Sequence, residues 1–190
     1  MRTEPYPPLE CVSTSFSSGA SNDEFNDGQS FCHSLKKRAL MHNRKRPASG
    51  VHYVDGQPTV VFDTVCTQGK QPWLATEQMH EILVSVWREQ ATAWCVGRYI
   101  IMPDHVHYFA WATEESIPFN SWVKYWKSRF SWAHGQQGLR MQRNDWDRRM
   151  RSEDQYTEKW EYVRHNAARA GLVENAEQWP FQGTVFNLDW

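Results

Sequence analysis

The chain has 190 residues, which suits one ordinary domain with a tail and leaves little room for two. A formal charge of −1 sets up no overall field that would select a polyanionic or polycationic partner, so charge is informative only segment by segment. Cys11, Cys32, Cys66 and Cys95 form no C-x-x-C pair, no apolar run reaches the roughly 18 residues of a membrane span, and the start MRTEPYPPLE lacks the order of a signal peptide; these features argue against a zinc knuckle, a dense disulfide scaffold and a membrane protein, and point to a soluble, cytoplasmic one.

Residues 1 to about 30 are rich in Ser, Asn, Asp, Gly and Pro. They carry too little apolar surface to offset the entropy of ordering, and read as a disordered tail. SLKKRALMHNRKRP follows, where Lys36, Lys37, Arg38, Arg44, Lys45 and Arg46 form a basic arm suited either to phosphate contact or to life as a solvated linker. HYV and TVVFDTVCT are β-rich and lead to a turn region, QGKQPW. TEQMHEILVSVWREQA places Ile82, Leu83, Val86 and Trp87 at helical spacing behind a candidate N-cap, Thr76.

ATAWCVGRYIIMPDHVHYFAWA reads as two strands folded about Met102 to Asp104, because Pro and Asp interrupt an apolar, β-branched and aromatic stretch. PFNSWVKYWKSRFSWAHG predicts a helix that stops at Gly135, with Trp122, Tyr125, Trp126, Arg129 and Phe130 as a stripe and Lys124, Lys127 and Arg129 as its basic flank. After a loop or short strand through Trp146, EDQYTEKWEYVRHNAARAGL predicts one helix stopped by Gly171. The order of elements suggests an α+β domain in which helices cover an antiparallel sheet.

Two sets of residues carry chemistry. His105 and His107 are one residue apart on a strand, so both imidazoles fall on one side and two nitrogens can grip one cation. Tyr162 and Asn166 stand at i and i+4 on the last helix, and Arg169 continues that face, so a phenol, an amide oxygen and a cation share it.

MPDHVHYF and KWEYVRHNAARAGLV, joined by WDRRMRSEDQYTEKW, resemble the REP-associated tyrosine transposases, a branch of the HUH single-tyrosine (IS200-like) transposases. The resemblance runs from about Val51 to Gly183. It implies a tail and arm over 1–48 and a ferredoxin-like HUH catalytic domain over 49–190. It also implies metal ligation by His105, His107 and Asn166, with magnesium or manganese as the ion and Tyr162 as the nucleophile. The implied partner is single-stranded or hairpin DNA from repetitive palindromic elements, met as a monomer or homodimer in the bacterial cytoplasm and on the nucleoid when bound. Family members usually have Asn-Pro-Val where this chain has Asn166, Ala167 and Ala168, and without the proline the helix should bend or end differently after Asn166. Two rival readings stand beside this one: a zinc-dependent hydrolase using His165, or Asp104 on the opposite strand face, as a further ligand, and a catalytically silent protein that grips DNA with the basic arm and the Trp122 to Trp132 helix, Lys124, Lys127 and Arg129 facing the DNA.

Overall fold

A computed structural model describes residues 53–54, 57–113 and 117–188. The expected tail and the basic arm from Lys36 to Arg46 lie outside them. Two two-residue strands, β1 (Tyr53–Val54) and β2 (Gln57–Pro58), pair with each other. Five more form one antiparallel sheet: β3 (Val61–Cys66), β4 (Trp94–Met102), β5 (His105–Ala112), β6 (Trp146–Arg149) and β7 (Gln182–Thr184), in the order β6-β3-β5-β4-β7. The fold class is α+β, and the strand with the two histidines is the central one.

Strand alternation decides what each face carries. Val106, Tyr108 and Ala110 of β5 point to a face packed by α1 (Glu77–Ser85) and α2 (Phe119–His134). Thr76 caps α1, its hydroxyl accepting from the Met79 N–H at 3.3 Å, and the chain continues to Gln90 as a wider, π-type turn that buries Val86 and Trp87. On α2 the inward set is Trp122, Val123, Trp126 and Phe130, while Tyr125 of the expected stripe turns outward. Gly135 ends α2 at φ 63°, which a residue with a Cβ adopts only under strain.

The other face holds Phe62, Thr64, Ile100, His105, His107 and Phe109. It is covered by α3 (Glu153–Val163), whose Tyr156, Trp160 and Val163 recur at helical spacing against Phe62 and Phe109. Each such burial contributes about 1.5–3 kcal/mol. The short α4 (Asn166–Arg169) follows and rests Ala167 against Ile100 and Met102.

A polar network is sealed into the first face. Tyr108 donates to Asp63 Oδ2 at 2.5 Å, the Thr64 N–H donates to Asp63 Oδ1 at 2.8 Å, and the Trp126 indole donates to the Tyr108 hydroxyl at 3.3 Å. Burial and the charge of Asp145 push the Asp63 carboxyl well above the ordinary range, against the pull of Tyr108 and Lys127. Cys95 is a free thiol. Among the described residues no helix is long and apolar enough to cross a membrane.

Candidate active site

The β4–β5 turn is held from outside the hairpin. Thr67 donates its N–H and its hydroxyl to the Asp104 carbonyl at 2.8 and 3.0 Å, and the Leu74 N–H donates to the Pro103 carbonyl at 2.8 Å. This fixes where β5 begins and hence which side chains share a face. His105 and His107 come together, their ring centroids 4.6 Å apart. Each ring is tethered through Nδ1. Asp104 Oδ1 lies 2.5 Å from Nδ1 of His105, and Thr64 Oγ1 lies 2.7 Å from Nδ1 of His107, the Thr64–His107 pair following from the β3–β5 register. Phe62 stacks on His107 at 5.6 Å.

Both Nε2 atoms are buried without a hydrogen-bond partner among the described residues. A buried polar atom left unpaired costs about 1–3 kcal/mol, so two aimed from neighbouring rings on one sheet face need an explanation. Burial, and then the neighbouring His105, Lys70 and Lys159, push His107 well below the ordinary imidazole range and keep its ring neutral. A neutral ring, held at Nδ1 and open at Nε2, is the form of imidazole that can ligate a divalent cation, although among the described residues no third His, Cys, Asp or Glu joins the pair to complete a metal-binding cluster.

The second half of the site departs from the expected single helix. The α3 helix ends at Val163, Arg164 caps it, and His165 leaves helical geometry at φ −112°, ψ 4° before Asn166 opens α4. Tyr162 and Asn166 therefore do not share one helical face: the phenol is 46 % exposed, whereas Asn166 is 4 % exposed. The break lies before Asn166, whereas the absent proline suggested a change after it. Arg169 reunites the three groups. Its guanidinium lies 4.6 Å over the Tyr162 ring, donates to the Tyr162 carbonyl at 3.2 Å and donates to Asn166 Oδ1.

Lys159 ties the two halves together. Its ammonium stands 5.5 Å over the Tyr162 ring and 5.8 Å over Phe62, the ring that stacks on His107. Partial burial, and after it repulsion from Arg148, lower the Lys159 pKa from its ordinary value. A cleft of about 300 Å³ opens beside these groups, lined by Arg148, Met150, Gln155, Glu158, Lys159 and Tyr162. An anion entering it meets two cations next to the phenol. Tyr108 of the histidine strand and Tyr156 of the segment joining the two motifs are buried.

Of the remaining expected DNA contacts, Lys124 is exposed. Arg129 is half-buried, donates to Gln90 Oε1 at 2.7 Å and stacks on Trp132 at 4.7 Å. Lys127 departs from the expected flank. Its ammonium is buried, 3.0 Å from Asp145 Oδ1 and 3.3 Å from the Gln142 carbonyl, so its charge is neutralised within the fold. Asp104, expected on the far side of its strand, instead sits in the turn with its carboxylate on His105. Sequence reading also missed Thr64, Lys159 and Arg148. The register that aligns Thr64 with His107 has no local signal, but Lys159 one turn before Tyr162 could have been found from helical spacing.

No protein-family model matches this chain, and no curated protein does. Among solved structures, the fold is similar to that of a REP-associated tyrosine transposase bound to a REP hairpin, at 21 % identity and a TM-score of 0.58, over 73 % of this chain and 79 % of that one. The likeness is one of fold.

Proposed function

We propose that the chain is a metal-dependent nuclease and strand transferase for single-stranded or hairpin DNA, with Tyr162 as its nucleophile. The observation that carries this reading is the pair of buried, unpartnered Nε2 atoms of His105 and His107, on the sheet face covered by the helix that bears an exposed tyrosine flanked by cations. The resemblance of the histidine strand and tyrosine helix to the HUH transposases supports it, and so does the likeness in fold to a transposase bound to a hairpin.

In this reading His105 and His107 would hold the ion through Nε2, with the Asn166 amide oxygen as third ligand once Arg169 releases it. Magnesium or manganese fits a site of nucleic-acid chemistry, and two imidazoles favour manganese on intrinsic affinity. When bound, the ion supplies Lewis-acid polarisation of the scissile phosphate.

The chain's own residues do the rest. Arg148 and Lys159 receive the phosphate in the cleft beside Tyr162 and balance its charge. The Tyr162 oxygen attacks phosphorus as its phenolic proton departs, the bond to the 3′ oxygen breaks, and that oxygen leaves as a 3′-hydroxyl after taking up a proton. The product is a 5′-phosphotyrosine, which keeps a phosphodiester-like bond, so the 3′-hydroxyl of a second strand reverses the step without ATP.

The zinc-hydrolase alternative needs Asp104 or His165 as a ligand. Asp104 is committed to His105 and lies 3.5 Å from Lys70, and the Nδ1 of His165 lies 3.1 Å from the Glu161 carbonyl oxygen, on the helix surface. The test of the proposal is incubation with end-labelled single-stranded oligonucleotides carrying hairpins drawn from repeats flanking the gene. A protein band that keeps its label through denaturing electrophoresis supports the proposal, and complete absence of label across those substrates contradicts it.

A further inference from the structure

On the α2 side of the molecule, a groove of about 630 Å³ runs between α2 and the 135–143 connection. Lys124, Arg140 and Arg143 line it with exposed positive charge, and no Asp or Glu is among its lining residues. Trp132 also borders it and is 72 % exposed, although Arg129 stacks on its ring. An open indole ring beside exposed cations offers a stacking surface and positive charge in one place.

The groove is built rather than accidental. Lys127, with its charge cancelled by Asp145, reaches the Gln142 and Arg143 carbonyls and holds the connection against α2. The Gln142 N–H donates to the Cys66 carbonyl and the Gln68 N–H to the Arg140 carbonyl, both at 2.7 Å. These last bonds also set a direction. Gln68 adjoins Thr67, which holds the Asp104 carbonyl, and Asp104 holds His105. The Arg140 end of the groove thus reaches the turn that begins the histidine strand.

Phosphates answer the exposed cations, and an unpaired base answers the open ring, since bases inside a duplex are already stacked on one another. We infer that this groove holds a short run of single-stranded DNA and leads it around the end of the sheet toward His105. The inference rests on the proposed nuclease reading for its direction, but the groove's ligand can be tested without any chemistry.

The test is fluorescence anisotropy of a labelled oligothymidylate of about 16 nucleotides, a length near the upper site size for single-strand binders, titrated with the full chain in EDTA across a series of salt concentrations. Trp132→Ala is expected to weaken binding about 10-fold through loss of one stacked base. Arg140→Gln with Arg143→Gln is expected to reduce the salt slope by about 1.4, two phosphates at roughly 0.7 each for a single strand. A blunt duplex of the same length should bind both variants and wild type alike. All three positions are exposed, and unchanged melting curves verify the fold. The inference is overturned if wild type does not bind the oligothymidylate, if the variants match wild type in affinity and slope, or if the duplex suffers the same losses. Wild type that binds through the groove yet never forms a covalent adduct sinks the nuclease reading alone, whereas adduct formation with unaltered variant binding sinks the groove alone.

Discussion

Asp104 and His105 are neighbours in sequence, yet their side chains meet, Oδ1 of the carboxylate lying 2.5 Å from Nδ1 of the ring. Burial works to raise the Asp104 pKa, but the hydrogen bond to His105, aided by Lys70 at 3.5 Å, outweighs it and holds the carboxyl below its ordinary value. An ionised carboxylate on Nδ1 selects the tautomer whose lone pair is on Nε2, the atom left without a partner. Thr64 Oγ1, 2.7 Å from Nδ1 of His107, anchors the second ring at the same nitrogen.

Asp104→Asn should therefore lower manganese affinity about 10- to 100-fold, the usual cost of losing a group that orients a ligand. The fold should survive, because the turn is held through the Asp104 and Pro103 backbone. Calorimetric titration of manganese measures the change, and unaltered affinity would assign the Asp104 bond to the turn alone.

The ligand set makes a graded expectation. His105→Ala and His107→Ala should each remove cleavage and metal binding, whereas Asn166→Ala should weaken both only partly, since water can replace an amide oxygen. Arg169 donates to that same oxygen, so Arg169→Ala frees it for the ion while loosening the Tyr162 ring. Tighter manganese binding together with slower cleavage is the expected signature. Weaker binding in Arg169→Ala would mean that Arg169 supports the ligand rather than competing for it.

Asp63 gives the fold a measurable pH dependence. Its folded pKa is raised mainly by burial, so the native state keeps a proton that the unfolded chain releases above about pH 4. The contribution is complete below that value and is lost as pH rises toward the folded pKa, at up to about 1.4 kcal/mol per pH unit. Urea unfolding between pH 4 and 7 should show a downward trend in wild type that flattens in Asp63→Asn. Equal slopes in the two proteins would mean that Asp63 is ionised in the fold.

The basic arm bears six cations between Lys36 and Arg46 and lies outside the described residues. If it contacts phosphates on single-stranded DNA, deleting residues 1–48 should flatten the salt dependence of binding by as much as about 4, at roughly 0.7 per contact. A slope that does not change returns the arm to a solvated linker.

Much of the fold was legible because its signals are local. The Thr76 cap, the Pro103–Asp104 turn, the Gly135 stop and the period of two in β5 each act within a few residues. The unread parts depend on partners far away in sequence. No Pro or Gly interrupts KWEYVRHNAARA, and the break at His165 accompanies the burial of Asn166 and the reach of Arg169 back to Tyr162. Lys127 sits at the right spacing for an outward flank, but Asp145, eighteen residues on, draws it inward. The paired histidines were visible from spacing alone, while their tethers to Thr64 and Asp104 needed the register and the turn.

The central claim is that Tyr162 becomes covalently joined to DNA. Wild type and Tyr162→Phe, each given labelled hairpin-bearing single strands with manganese, should bind DNA alike, with the label remaining on wild type alone after denaturation. Peptide mapping of the wild-type adduct should then place the nucleotide on Tyr162. A labelled band of equal strength in Tyr162→Phe, or an adduct mapped to another residue, would contradict the account.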